Sequence, residues 1–126
     1  MRWMPGSKTP DRRRDFGLAA EEAAVRLLKG RGQRIVARNF AVRDGEIDII
    51  SRTKGTLIFT EVRARKFGAM VRPEDTVDAR KQAKIRRTAQ AWLLQHPTEL
   101  ACRFDVVACY EGADGSLSLE YYKDAF

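Results

Sequence analysis

The chain has 126 residues, with 24 Lys plus Arg against 17 Asp plus Glu and a formal net charge of +7. A chain of this length buries roughly two thirds of its unfolded surface, enough for one core and too little for two ordinary domains. No apolar run approaches the roughly 20 residues of a bilayer span, and no apolar stretch follows Arg2 and Lys8 to make a secretory signal, so the sequence reads as a cytosolic protein.

Residues 1–10 hold Trp3, Pro5, Gly6 and Pro10 without periodicity and read as a flexible basic tail on a single domain of residues 11–126. From Asp11 to Lys29 the apolar positions Phe16, Ala20, Ala23 and Leu27 recur at helical spacing, widened by Ala24 and Leu28. Gly30 and Gly32 end that helix. Three strands follow, Arg34–Asn39, Glu46–Ser51 and Leu57–Arg63, parted by Asp44-Gly45 and by Thr53-Lys54-Gly55-Thr56. Residues 64–74 read as a basic loop containing Phe67, either a small apolar plug or a wedge for a nucleobase. A long helix is predicted from Thr76 to Gln95, capped by Asp75 or Thr76 and stopped before Pro97. Its apolar stripe is Ile85, Ala89, Trp92 and Leu93, and Lys81, Lys84 and Arg87 lie opposite. His96 suits a helix C-terminus. Two strands close the chain, Arg103–Tyr110 and Leu117–Tyr122, turning at Gly112–Gly115. The order is αβββαββ, an α/β domain.

Cys102 and Cys109 share one predicted strand and read as packed thiols. Seven residues of strand span roughly 23 Å, beyond the reach of a disulfide. With a single His, they also exclude an ordinary structural zinc site.

The charge is uneven. Residues 1–15 carry a net +3 and residues 101–126 a net −3, leaving +7 on the middle. Its densest part is Arg80-Lys81-Gln82-Ala83-Lys84-Ile85-Arg86-Arg87. Arg outnumbers Lys 17 to 7, and guanidinium groups suit bidentate phosphate contacts. Such a distribution points either to a polyanion partner or to a solvated helix face.

The second and third strands carry acids on facing sides. Glu46, Asp48 and Ile50 share one face of their strand, and Phe59, Glu61 and Arg63 one face of theirs. A turn centred on Lys54-Gly55 sets Asp48 opposite Glu61, Glu46 opposite Arg63, and Ile50 opposite Phe59. Directly opposed Cβ atoms lie about 4.5–5.5 Å apart, so the two carboxylates repel unless offset. Two offsets remain open: Mg²⁺ held together with substrate phosphate, or a polar sheet face salt-bridged through Arg63.

The stretch Gly45–Arg65, GEIDII…LIFTEVRAR, resembles the signature of the YraN-like family of uncharacterised bacterial proteins. Gly17-x-x-x-Glu21-x-x-Ala24, Arg80-Lys81-Gln82, Cys102–Ala108 (CRFDVVA) and the terminal KDAF extend the resemblance over nearly the whole chain. That family resembles the restriction-endonuclease-like, or PD-(D/E)XK, superfamily, with Holliday-junction resolvases as the nearest in size.

The resemblance implies a mixed sheet flanked by helices and metal-assisted phosphodiester hydrolysis in structured DNA. It implies Mg²⁺ or Mn²⁺ on Asp48 and Glu61, with the Val62 carbonyl as a further ligand. Glu21 matches an acid on the first helix, and Arg63 stands at the position of the superfamily's Lys. The implied catalytic set is Glu21, Asp48, Glu61 and Arg63. Lys81, Gln82 and Lys84, with Arg65 and Lys66, would contact nucleic acid, and a junction substrate would suit a homodimer. Two departures stand out. Ile47, not Pro, precedes Asp48, and Arg63 cannot shed a proton as a Lys can. A non-catalytic nucleic-acid-binding module is the alternative.

Overall fold

Small residues decide how the first helix sits. In α1 (Arg12–Gly30) Ala20, Ala23, Ala24 and Leu28 are buried, and the helix lies against the sheet on that face. Gly32 ends it. Its φ of +84° suits glycine, and the Gly32 and Gln33 amides close back on the carbonyls of Lys29 and Leu28, a Schellman motif. The computed structural model describes residues 12–66 and 77–126. The expected tail, Phe67 and the Asp75 or Thr76 cap lie outside those residues.

The remaining elements are β1 (Arg34–Val42), β2 (Gly45–Arg52), β3 (Thr56–Lys66), α2 (Ala79–Gln95), β4 (Ala101–Glu111) and β5 (Leu117–Tyr122). The order αβββαββ is the one read from the sequence. The five strands form one mixed sheet in the order β1-β2-β3-β4-β5. Only β3 and β4 run parallel, and α2 provides their crossover. One core lies on the α2 side of the sheet, with Ile47, Ile50, Leu57, Phe59, Ile85, Ala89, Trp92 and Val106. The other lies on the α1 side, with Ala24, Val25, Leu28, Ile49 and Val107.

Three boundaries differ from expectation by three residues, the others by two or fewer. Helix α2 begins at Ala79, because the Asp78 carboxylate accepts the Lys81 amide at 2.8 Å and caps it there. Strand β3 continues through Lys66, because parallel pairing with β4 runs on to Lys66–Glu111; residues 64–66 are therefore strand. Strand β1 continues to Val42, paired with Gly45 across the turn. Cys109 is buried as expected, but Cys102 is exposed near the start of β4. His96 caps α2, its amide donating to the Trp92 carbonyl and its ring stacked on Trp92.

Gly45 sets how closely α2 approaches the hairpin. A Cβ there would fall well inside contact distance of Thr88 Oγ1. The Thr88 hydroxyl is fixed in turn, donating to the Lys84 carbonyl at 2.8 Å. Gly45→Ala is therefore expected to destabilise the fold by about 1–3 kcal/mol through overpacking. Adding Thr88→Ala should recover most of that loss in urea denaturation. Equal stability of the single and double variants would show that this contact does not set the spacing.

Candidate acidic site

The β2–β3 register is the one the turn predicts: Arg52 pairs with Leu57, Ile50 with Phe59 and Ile49 with Thr60. Past Ile49 the pairing gives way to a side-chain contact. The Val62 amide donates to Asp48 Oδ2 at 2.8 Å, so a carboxylate takes the place of a backbone acceptor. The β1–β2 register shifts between Ile35 and Ala37 and is constant from there to the turn. Arg38–Ile49 and Phe40–Ile47 bracket Asn39 and Asp48, and Asn39 has a φ of +52°, a conformation that Asn tolerates better than most residues. Ile47 and Ile50 face the α2 core whereas Ile49 faces the α1 core. Simple alternation therefore breaks at Asp48, which turns its carboxylate toward β3.

There it meets Glu61. Burial first, then the contact with the Glu61 carboxyl, pushes the Asp48 carboxyl up to about 8. That shift favours the protonated form of the Asp48 carboxyl at neutral pH. Glu61 is 9% exposed, and its Oε2 is buried without a hydrogen bond. Lys81 on α2 sets its Nζ 3.5 Å from that oxygen. This is the contact that the depth of α2 sets.

The other predicted residues are placed differently. Glu21, 8% exposed on α1, accepts from Arg38 Nε at 3.1 Å and Asn39 Nδ2 at 3.0 Å. Arg38 also pairs with Glu22 at 2.8 Å. Glu21 therefore reaches the acid pair through Asn39, the residue set against Asp48 on β1. Glu46 is exposed; partial burial, then the charges of Asp48 and Glu21, hold its carboxyl above its usual range. Arg63 and Arg65 are half-buried along β3 beyond Glu61, and Arg65 donates to the Ala64 carbonyl at 2.9 Å.

The Gln82 amide group is engaged with the Val77 carbonyl at 2.9 Å, at the start of α2. Lys84 lines a cavity beside the β1–β2 turn. Lys66 lines another with Asp15, Phe16 and Glu111. The structure thus brings together Asp48, Glu61 and Lys81, and shows no contact of Lys66, Gln82 or Lys84 with the pair among the described residues. Sequence reasoning missed Arg38 and Asn39 as partners of Glu21. An Asn inside a strand, a residue able to take a positive φ, is the one signal that marked the spot.

Asp105 shows how this protein satisfies a buried carboxylate for structure. It is 0% exposed and accepts two bonds from Arg103, each of 2.8 Å, one from the Asp124 amide at 2.9 Å, and one from the Tyr121 hydroxyl. Glu61 Oε2 has nothing comparable. Because Asp48 holds its proton in the fold far above the pH at which the unfolded chain releases it, stability falls as pH rises from about 4 toward 8. Asp48→Asn should flatten that decline in metal-free buffer and stabilise the protein at pH 8 by about 1–2 kcal/mol. Parallel pH–stability curves for wild type and variant would contradict this account.

Residues 20–109 match the model of a family described as Uncharacterised protein family UPF0102. The interval holds Glu21, Asp48, Glu61 and Lys81. A UPF0102 protein of Parafrankia sp. (strain EAN1pec) is 43% identical over 88% of this chain and 95% of its own length. One of Symbiobacterium thermophilum is 40% identical over 90% of this chain and 97% of its own length. One of Ralstonia nicotianae is 42% identical over 87% and 85%. With such relatives covering most of both chains, and with the family model spanning both acids of the pair, this chain belongs to the UPF0102 family.

Proposed function

We propose that this protein is a metal-dependent nuclease that hydrolyses phosphodiester bonds in structured DNA, with Asp48 and Glu61 as the seat of Mg²⁺ or Mn²⁺. One observation carries the reading: two adjacent carboxyl groups, Glu61 buried and Asp48 half-buried, meet at the splayed end of a hairpin, and the buried Glu61 Oε2 has no hydrogen bond, only the Lys81 ammonium at 3.5 Å. Buried polar atoms in native proteins are nearly always paired; Thr60 Oγ1 is a second exception among the described residues, and at Glu61 a divalent cation would supply the missing partner. Among the described residues no group of three or more His, Cys, Asp or Glu is placed to hold a metal. A pair of carboxylates nonetheless suits Mg²⁺, which keeps several waters and binds through one or two carboxylates plus substrate phosphate.

Bound there, the metal would polarise the phosphate and lower the pKa of its water. The chain's own residues supply the rest. Asp48 would give up its proton and, with Glu61, hold the cation. Lys81 stands beside Glu61 and neutralises charge on the phosphate. It supplies the ammonium that the β3 motif lacks, because Arg63 occupies the position of the superfamily's Lys. Glu21, held by Arg38 and Asn39, orients β1 against Asp48. The mixed sheet with helices on both faces is the arrangement expected of the restriction-endonuclease-like superfamily, and the charge of +7 suits a phosphate backbone.

A second reading, a nucleic-acid-binding module without turnover, draws on Arg63 and on the absence of a third acid within metal range among the described residues. Incubation with four-way, single-stranded and duplex DNA in Mg²⁺ or Mn²⁺ separates the two. Cleavage should disappear with EDTA and in Asp48→Asn and Glu61→Gln, and should fall about 10²–10³-fold in Lys81→Met. Binding without cleavage in any metal would favour the module.

Calorimetric titration with Mg²⁺ should release close to one proton per site at pH 7, read from its buffer dependence. Affinity should rise as pH climbs toward about 8, because below that value the proton on the Asp48–Glu61 pair competes with the metal. Binding that releases no proton would show that the metal sits elsewhere.

A further inference from the structure

The β1–β2 turn and the middle of α2 together enclose an open cavity of about 250 Å³, lined by Val42, Arg43, Asp44, Lys84, Arg87 and Thr88. Three cations converge on it against one carboxylate. Of the ion pairs found among the described residues, such as those of Arg38, Lys81 and Arg103, none engages Arg43, Lys84 or Arg87. Lys84 and Arg87, three residues apart, project from the same side of α2. The turn that carries Arg43 is drawn against them by the close approach of Gly45 to Thr88. Like charges gathered around one hollow repel, and an anion relieves that repulsion.

The position of the hollow gives the anion its identity. Lys81 meets Glu61 one helical turn before Lys84. Along the helix axis Lys84 lies about 4.5 Å beyond Lys81 and Arg87 about 9 Å beyond it. Successive phosphates of one strand rise about 3.4 Å along a duplex axis, less than the roughly 4.5–9 Å from Lys81 to Lys84 and Arg87, so a strand laid along α2 would set a different phosphate beside the hollow from the one beside the acids. Two guanidinium groups and an ammonium suit a phosphate's oxygens, since Arg contacts phosphate bidentately and Lys acts as a point charge. Asp44 leaves the cavity with a net charge of +2, enough to hold a phosphodiester of a passing strand.

We propose that Arg43, Lys84 and Arg87 form a phosphate subsite that holds the DNA backbone next to the phosphate presented to Asp48 and Glu61. This deepens the nucleic-acid reading above and rests on it. It names the face on which the strand lies: across the β1–β2 turn and along α2.

Binding of a four-way DNA junction in EDTA, followed by fluorescence anisotropy between about 50 and 200 mM salt, tests it. Arg43→Gln with Arg87→Gln should weaken binding about tenfold and reduce the salt slope by about 1–2. A charge-matched control is at hand in a cavity at the far end of the same hairpin, lined by Gly32, Arg34, Arg52, Thr53 and Lys54. Arg34→Gln with Arg52→Gln removes the same charge there and should leave the slope unchanged. Circular dichroism melts check that both double variants fold; if the first does not, Lys84→Gln alone takes its place, with an expected slope change of about 1. Equal slope changes in the two double variants, or none in the first, would overturn the subsite while leaving the acid-pair reading standing. Wild-type protein with no salt-dependent binding would overturn the nucleic-acid reading itself. A slope change without cleavage in any metal would support the subsite and remove only the catalytic step.

Discussion

Two carboxyl groups forced together where a hairpin opens impose the constraint around which this structure is arranged. In a regular ladder Asp48 and Glu61 would stand opposite each other at a distance where like charges destabilise a sheet. Here the ladder stops one pair short, and Asp48 turns to accept the Val62 amide. That departure needs slack on the other neighbour, which Asn39 provides with its positive φ on β1. Asn39 then has its side chain free to bond Glu21 on α1. A local irregularity in one strand thus ties the acid pair to a helix on the opposite side of the sheet. On the near side, α2 supplies Lys81, at a depth fixed by the absence of a side chain at Gly45.

Asp105 gives the measure of how unusual the pair is. The Asp105 carboxylate belongs to a chain of hydrogen bonds running through Tyr121 and Gln33 to Ser51, which links β4, β5, the end of α1 and β2. Arg103 pairs with it, and its guanidinium is held above its usual range chiefly by that bond. The C-terminus joins the same assembly. The Ala125 amide donates to the Phe104 carbonyl, and Phe126 stacks against Phe104 with Arg86 over both rings. Every acceptor of Asp105 is used, as a fully connected buried network requires. The same fold therefore contains one buried acid with every acceptor bonded and another, Glu61, whose buried Oε2 has no hydrogen bond and meets only the Lys81 ammonium at 3.5 Å. Satisfying a carboxylate is within this sequence's means, so the contrast between the two acids is one of placement.

Much of this was legible in the sequence, for identifiable reasons. Periodicity marked both helices, and Asp44-Gly45 and Lys54-Gly55 marked the turns. The pairing rule for one short hairpin then set Ile50 against Phe59, as observed. The central face of β3 followed from alternation alone, since Phe59 and Glu61 both face α2. What was not legible depends on contacts distant in the chain. Nothing near Lys81 says that its ammonium meets Glu61 rather than solvent. Nothing in Asp78-Ala79 ranks it above Asp75-Thr76 as a helix start. The extension of β3 to Lys66 comes from its parallel partner, 45 residues later at Glu111, and parallel pairing leaves no local turn signal. The break in alternation at Asp48 was hidden because period-two reasoning assumes a regular strand.

The excess of basic residues acquires a geometry once these pieces are joined. Cations along α2 stand in a row: Lys81 is drawn to the buried acids, and Lys84 and Arg87 face the hollow beside the turn. The acids by themselves would repel a polyanion, and the cations by themselves would bind one without distinguishing any phosphate from its neighbours. Placed one helical turn apart, they would act differently on the strand proposed above. The row of cations would bring the backbone in, and the acid pair would single out one phosphate, because there the protein could hold a divalent cation beside it. Asp44 and Glu46 bound that path with negative charge on either side of Gly45. A strand of fixed charge spacing would thereby be restricted in how it can slide, and an otherwise unspecific attraction would become a position.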